Sequence, residues 1–353
     1  MKLILPLIRR YKRLRDLRRM NDIYTAGYAM VGFGNHAVHQ LLPAIQYLGL
    51  PLRYVCCTST NKAEAVARKY PGVHGTTSLR EVLDDKEIHG VFVAATPSAH
   101  FPISRAVLES GKALFVEKPP CTALEQLDRL IETAKAVGNP AVTVGFQRRF
   151  SPVASILQQE LRGAKMHSYH YRFLTGAYPE GDALTDLFIH PLDLVSFLFG
   201  EAKVRNFTQT GKNTRGEVTL FLVLEHRQVM GCLELSTAYT WKPAVETLEI
   251  NTQSGIYRTN CTDALDYTEK FSTFFGLPTE KVFRRTSLTR HLIDNDGFAP
   301  TATSHSIVKQ GFFGEILDFA RRTERKISGT SPASLENVRP TFVLIDEIRQ
   351  LMD

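Results

Sequence analysis

Asp186 and His190 stand four residues apart, so a helix turns both side chains to one side, where they can converge on a single hydroxyl group. Histidine titrates near neutral pH and can take the proton of such a hydroxyl while its carbon is oxidised. Lys118 follows the apolar run Ala113 to Val116 and Glu117. An ammonium fixed at the end of a buried strand can donate to a substrate oxygen and stabilise negative charge as it develops. The competing reading makes Asp186 a helix-start residue and His190 a core histidine.

A second set of residues suits a dinucleotide. Gly32-Phe33-Gly34-Asn35-His36-Ala37 is a G-x-G-x-x-A turn between a strand, Tyr28 to Val31, and a helix, Val38 to Tyr47. Gly32 permits the tight turn, and Gly34 clears the approach of a pyrophosphate to the helix N-terminus, where free N–H groups favour anions. The next strand ends in Cys57-Thr58-Ser59-Thr60-Asn61-Lys62, without the acid that usually binds a ribose 2′-hydroxyl. Thr58, Ser59 and Lys62 can donate to a 2′-phosphate, which tilts the cofactor toward NADP over NAD. Alternatively, these residues cap the following helix.

The elements that must position these groups are legible as two patterns. Strand-like runs at Leu52 to Cys57, Gly90 to Ala95, Ala113 to Val116 and Ala141 to Val144 alternate with helical stretches, which predicts a doubly wound parallel sheet. Beyond about Phe150 the runs His167 to Phe173, Val218 to Val223, Gly231 to Leu235 and Thr247 to Ile250 alternate with period two. That predicts a largely antiparallel sheet with one wet face. Residues 268 to 306 read as a long irregular excursion, and two helices, Phe312 to Arg322 and Leu335 to Met352, close the chain.

Composition narrows the function classes. The chain has 353 residues, 43% of them apolar, which suits two domains with sizeable cores. Its net charge of +7 resides in residues 1 to 20, where eight basic side chains face Asp16 alone, so the body is neutral and no nucleic-acid surface is expected. Leu7, Tyr11, Leu14, Leu17 and Met20 recur at helical spacing, giving a basic amphipathic helix that packs on protein or lies peripherally on an anionic membrane. Translation from Met20 is a third reading, and a secretory signal is not indicated. Five cysteines without C-x-x-C spacing read as reduced and structural, which implies a cytoplasmic protein. No run approaches the roughly 20 apolar residues of a membrane span.

Several ordered motifs together resemble the glucose-fructose oxidoreductase, inositol dehydrogenase and MocA (Gfo/Idh/MocA) family. They are Gly32-Phe33-Gly34, Ala95-Thr96-Pro97-Ser98-Ala99-His100, Glu117-Lys118-Pro119, Gly145 to Phe150, and Asp186-Leu187-Phe188-Ile189-His190. The resemblance implies a Rossmann domain over 25–148 and a substrate and oligomerisation domain over 149–353, after an extension at 1–24. It implies an α/β plus α+β fold whose second, open sheet mediates homo-oligomerisation. It also implies hydride transfer between NAD or NADP and a hydroxyl or keto carbon of a sugar, cyclitol or nucleotide sugar. A non-catalytic nucleotide-binding regulator of the same fold is the alternative. His190 would be the base, Asp186 would position the substrate, and Lys118 would bridge substrate and nicotinamide ribose. Gly32, Phe33, Gly34, Asn35, His36, Thr96, Pro97, His100, Glu117 and Gln147 would line the cofactor, and Arg148 or Arg149 would reach an acidic substrate group. No metal is expected.

Overall fold

A computed structural model describes residues 6–12, 23–211, 215–283, 288–294 and 306–352. The apolar runs of the first half form β1 (Gly27–Val31), β2 (Leu52–Cys56), β4 (Ile88–Val93), β5 (Ala113–Glu117) and β6 (Val142–Gly145), and a short polar strand, β3 (His74–Thr76), joins them. They pair in parallel in the order β3-β2-β1-β4-β5-β6. β1, β4 and β5 are almost wholly buried because helices cover both faces of such a sheet. The fourth strand begins and ends two residues earlier than its apolar run suggests.

The second sheet holds β7 (Met166–Leu174), β8 (Ala202–Thr210), β9 (Thr219–His226), β10 (Met230–Ser236), β11 (Val245–Thr252), β12 (Gly255–Asn260) and β13 (Ala264–Glu269). A small hairpin of β14 (Thr273–Phe274) and β15 (Leu277–Pro278) follows, and β16 (Thr289–Asp294) then returns to the sheet edge. The order is β16-β13-β12-β11-β7-β10-β9-β8, with only β7 and β10 parallel among the pairs. The expected irregular excursion thus contains an edge strand. Its residues are mostly exposed, so it lacks the apolar alternation that marks a half-buried strand.

Helix Phe312–Thr323 packs back on the first sheet, where Phe319 meets Tyr28, Phe92 and Phe115. The Glu324 carboxylate beyond its end accepts the backbone N–H groups of Thr25 and Ala26 at 2.9 and 3.0 Å. Helix Leu335–Met352 joins the two halves, with Arg339 in a two-pronged pair to Asp128 at 2.7 and 3.0 Å. Residues 6–12 are helical and exposed, while Leu14, Leu17 and Met20 of the expected basic helix lie outside the described residues. Among the described residues no helix is long and apolar enough to cross a membrane.

Candidate active site

The strand order reverses between β1 and β4, so a crevice opens at their carboxyl ends, the place where open parallel sheets bind ligands. Gly32 follows β1 with φ of +87°, and a Cβ there would lie 2.5 Å from the Ala94 carbonyl oxygen, so only glycine fits. Gly34 has nothing within 4 Å of the equivalent position, which leaves an open cradle before the helix that starts at Ala37. A dinucleotide backbone fits such a cradle, and Gly32 to His36 are the residues that would hold it. Thr58, Ser59 and Lys62 are exposed past β2, and Ser59 stands at a helix N-cap without a side-chain capping bond. Thr96, likewise exposed and uncapping, precedes Pro97 at the end of the β4 loop.

Two helices that border this crevice begin with a wide π turn, Ala37–Leu41 and Leu184–Phe188. In each case a proline follows, Pro43 or Pro191, and its missing N–H removes one ordinary bond of the helical ladder. The second π turn carries Asp186 and runs directly into helix Ile189–Phe199 with His190 in its first turn.

Lys118 reaches across from the end of β5. Its Nζ donates to the Asp186 carbonyl oxygen at 2.7 Å. Burial lowers the Lys118 ammonium below its ordinary value, against the pull of Glu117 and Asp186. His190 lies within the field of Lys118, and burial first, then Lys118, Arg148 and His36, hold it well below the ordinary histidine range. Burial thus favours the neutral imidazole at His190, and the charge of Lys118 acts in the same direction. The Asp186 carboxylate accepts the Asp182 N–H at 3.2 Å and closes the turn before the helix.

Other expected site residues are used differently. His100 is buried, its two ring nitrogens 2.7 Å from the Pro119 carbonyl and 2.9 Å from that of Ala95, so it ties the β4 loop to the Lys118 loop instead of facing a nucleotide. Arg149 is buried in a pair with Asp193 at 2.6 and 2.9 Å and donates to the Pro332 carbonyl, so it cannot reach a substrate. Arg148 pairs with Glu246 at 2.6 Å, and the Tyr171 hydroxyl donates to the same carboxylate oxygen at 2.7 Å. Glu246 and Tyr171 were not apparent as site residues. A glutamate on a half-buried strand is the signal that marks the first. Gln147 is half-buried in the turn over Gln147–Phe150 beside Gly311. All five cysteines are free. No cluster of metal-ligating side chains occurs among the described residues.

A profile described as the oxidoreductase family, NAD-binding Rossmann fold (Gfo/Idh/MocA), matches residues 26–146. Inositol 2-dehydrogenase 2 of Saccharopolyspora erythraea is 30% identical over 176 residues, which are 46% of this chain and 52% of that protein. The chain thus spans about half the length of this curated relative. The crystal structure of a dehydrogenase from Chromobacterium violaceum superposes with a TM-score of 0.78 at 17% identity, covering 93% of this chain and 95% of that one. A levoglucosan dehydrogenase in complex with NADH and levoglucosan superposes at 0.74 with 19% identity, covering 92% and 96%. The crevice and its glycine turn thus lie within the segment, residues 26–146, that matches the Gfo/Idh/MocA oxidoreductase family profile.

Proposed function

We propose that the protein is an NAD(P)-dependent oxidoreductase acting on a hydroxyl or keto carbon of a sugar, cyclitol or nucleotide sugar. The observation that carries this reading is the hydrogen bond of Lys118, from the end of the first sheet, to the Asp186 carbonyl, in the turn that runs directly into the helix bearing His190. The bound nicotinamide supplies or accepts the hydride. Lys118 donates to the substrate oxygen and stabilises its negative charge. His190, kept neutral, takes the hydroxyl proton in oxidation or returns it in reduction. The Asp186 carbonyl fixes the lysine, and its carboxylate shapes the turn that presents His190. Exposed Thr58, Ser59 and Lys62 with no neighbouring acid in their loop favour NADP, so tighter binding of NADPH than NADH is expected.

The relative's name and the levoglucosan complex support polyol substrates. In a screen of cyclitols, sugars and nucleotide sugars, Lys118→Ala and His190→Asn should each lower turnover by about 100-fold or more while nucleotide affinity is kept. Full turnover in both variants would reject the assignment. Nucleotide binding without turnover of any substrate by the unaltered protein would favour the regulator instead.

A further inference from the structure

The mechanism above leaves one titratable pair unused, and it sits in the turn on which the nucleotide would rest. His36 Nε2 lies 3.0 Å from Glu117 Oε1. The Phe312 ring packs on the imidazole with centroids 5.7 Å apart. The other Glu117 oxygen accepts the Lys118 backbone N–H at 3.2 Å, and a Cβ at Gly145 would come within 2.9 Å of it, so the carboxylate is confined. The histidine side chain is nevertheless 48% exposed, against 7% for its partner.

The ionisable groups facing the pair come from three further positions: Lys118 after β5, His190 on helix Ile189–Phe199, and Glu315 on helix Phe312–Thr323. Glu315 is fully buried, and neither of its carboxyl oxygens has a hydrogen-bond partner among the described residues.

Resting on the nucleotide-binding function proposed above, we propose that the His36–Glu117 pair reads the charge of the nicotinamide ring and disfavours the oxidised nucleotide relative to the reduced one at low pH. The two redox forms carry the same phosphates and differ in the ring, which is cationic when oxidised and neutral when reduced. Attraction between His36 and the phosphates is common to both and cancels in the ratio of their affinities. Repulsion from the cationic ring remains. Burial resists protonation of His36, but the bond to Glu117 and its charge outweigh that, so the imidazole keeps its proton above the ordinary histidine value. His190 is pushed the opposite way. Two histidines that act on each other are thereby pushed apart, His190 toward the neutral form and His36 toward the protonated one.

The sign follows from linkage. A cation arriving beside protonated His36 displaces its proton, so the oxidised nucleotide binds more tightly as pH rises through the His36 titration and levels off above it. One proton gives at most about a tenfold change per pH unit.

The test is the ratio of dissociation constants for the oxidised and reduced forms of whichever nucleotide pair binds, measured on the full chain between about pH 5.5 and 9, which brackets a histidine titration. The ratio should fall with rising pH by roughly threefold or more in the unaltered protein. It should become flat in His36→Gln and keep its slope in Glu315→Gln. A flat ratio in the unaltered protein, which needs no variant, overturns the proposal. So does a slope that survives in His36→Gln, or one that disappears only in Glu315→Gln, which would assign the proton to the buried carboxyl. Binding of neither nucleotide form overturns this inference together with the function it rests on, so the two failures are distinct.

Discussion

His190 and Glu315 illustrate how burial chooses the neutral form of opposite kinds of group. The charges of Lys118, Arg148 and His36 act on His190 and add to its burial, while Glu315 is enclosed beside Phe312 and Phe319 with Glu117 as the charge that acts on it. Burial and Glu117 raise the Glu315 carboxyl well above its ordinary range, so the folded protein binds a proton there that the unfolded chain releases. Its contribution to stability is present below the ordinary carboxylate value and is lost as pH rises toward the folded one. Glu315→Gln removes that loss. Unfolding measured across this window should show the variant gaining on the parent by about 1.4 kcal/mol per pH unit until the folded group ionises. Parallel stability curves for the two proteins would contradict a neutral Glu315. Lys118 stands out in the sequence by its place after an apolar strand, and Asp186 and His190 by their four-residue spacing. The division of labour between Arg148 and Arg149 was not, since their partners Glu246 and Asp193 are supplied by distant elements.

At the scale of elements, the turn over Gln147–Phe150 is where the two halves are bolted together. Arg149 meets Asp193 from helix Ile189–Phe199, and Thr341 from helix Leu335–Met352 donates to the same aspartate at 2.9 Å. Removing one member leaves the other charge buried and unpaired. Arg149→Ala or Asp193→Ala should therefore destabilise by about 3–5 kcal/mol, read by denaturant unfolding, whereas Arg149→Met combined with Asp193→Leu should recover most of that loss. An effect confined to substrate KM, with stability unchanged, would restore Arg149 to the substrate site. Five of the six parallel strands were readable from their apolar runs, whereas β3, only His74–Thr76, carries no such run. The π turns were not readable, because a proline within an expected helix signals a lost ladder bond without saying how the turn before it widens. Strand β16 was missed because its pairing is set by β13 and not by its own alternation.

For the whole molecule, the open second sheet leaves Phe221 and Met230 exposed at 45% and 47% on strands β9 and β10, among the pairs Arg172–Glu234 and Arg205–Glu225. These two exposed apolar side chains lie on one face of the open sheet, and we propose that this face joins copies of this chain. Light scattering should give a mass above that of the 39.7 kDa monomer, reduced toward it by Phe221→Lys with Met230→Lys. A monomeric parent protein would remove the proposal. Catalysis of the proposed kind requires groups from both halves of the chain to act on one substrate atom. An experimental structure with nucleotide and a polyol bound tests this most directly. Lys118 Nζ and a His190 ring nitrogen should both lie about 3 Å from a single substrate oxygen beside the nicotinamide. A polyol oxygen there that neither group can reach would contradict it.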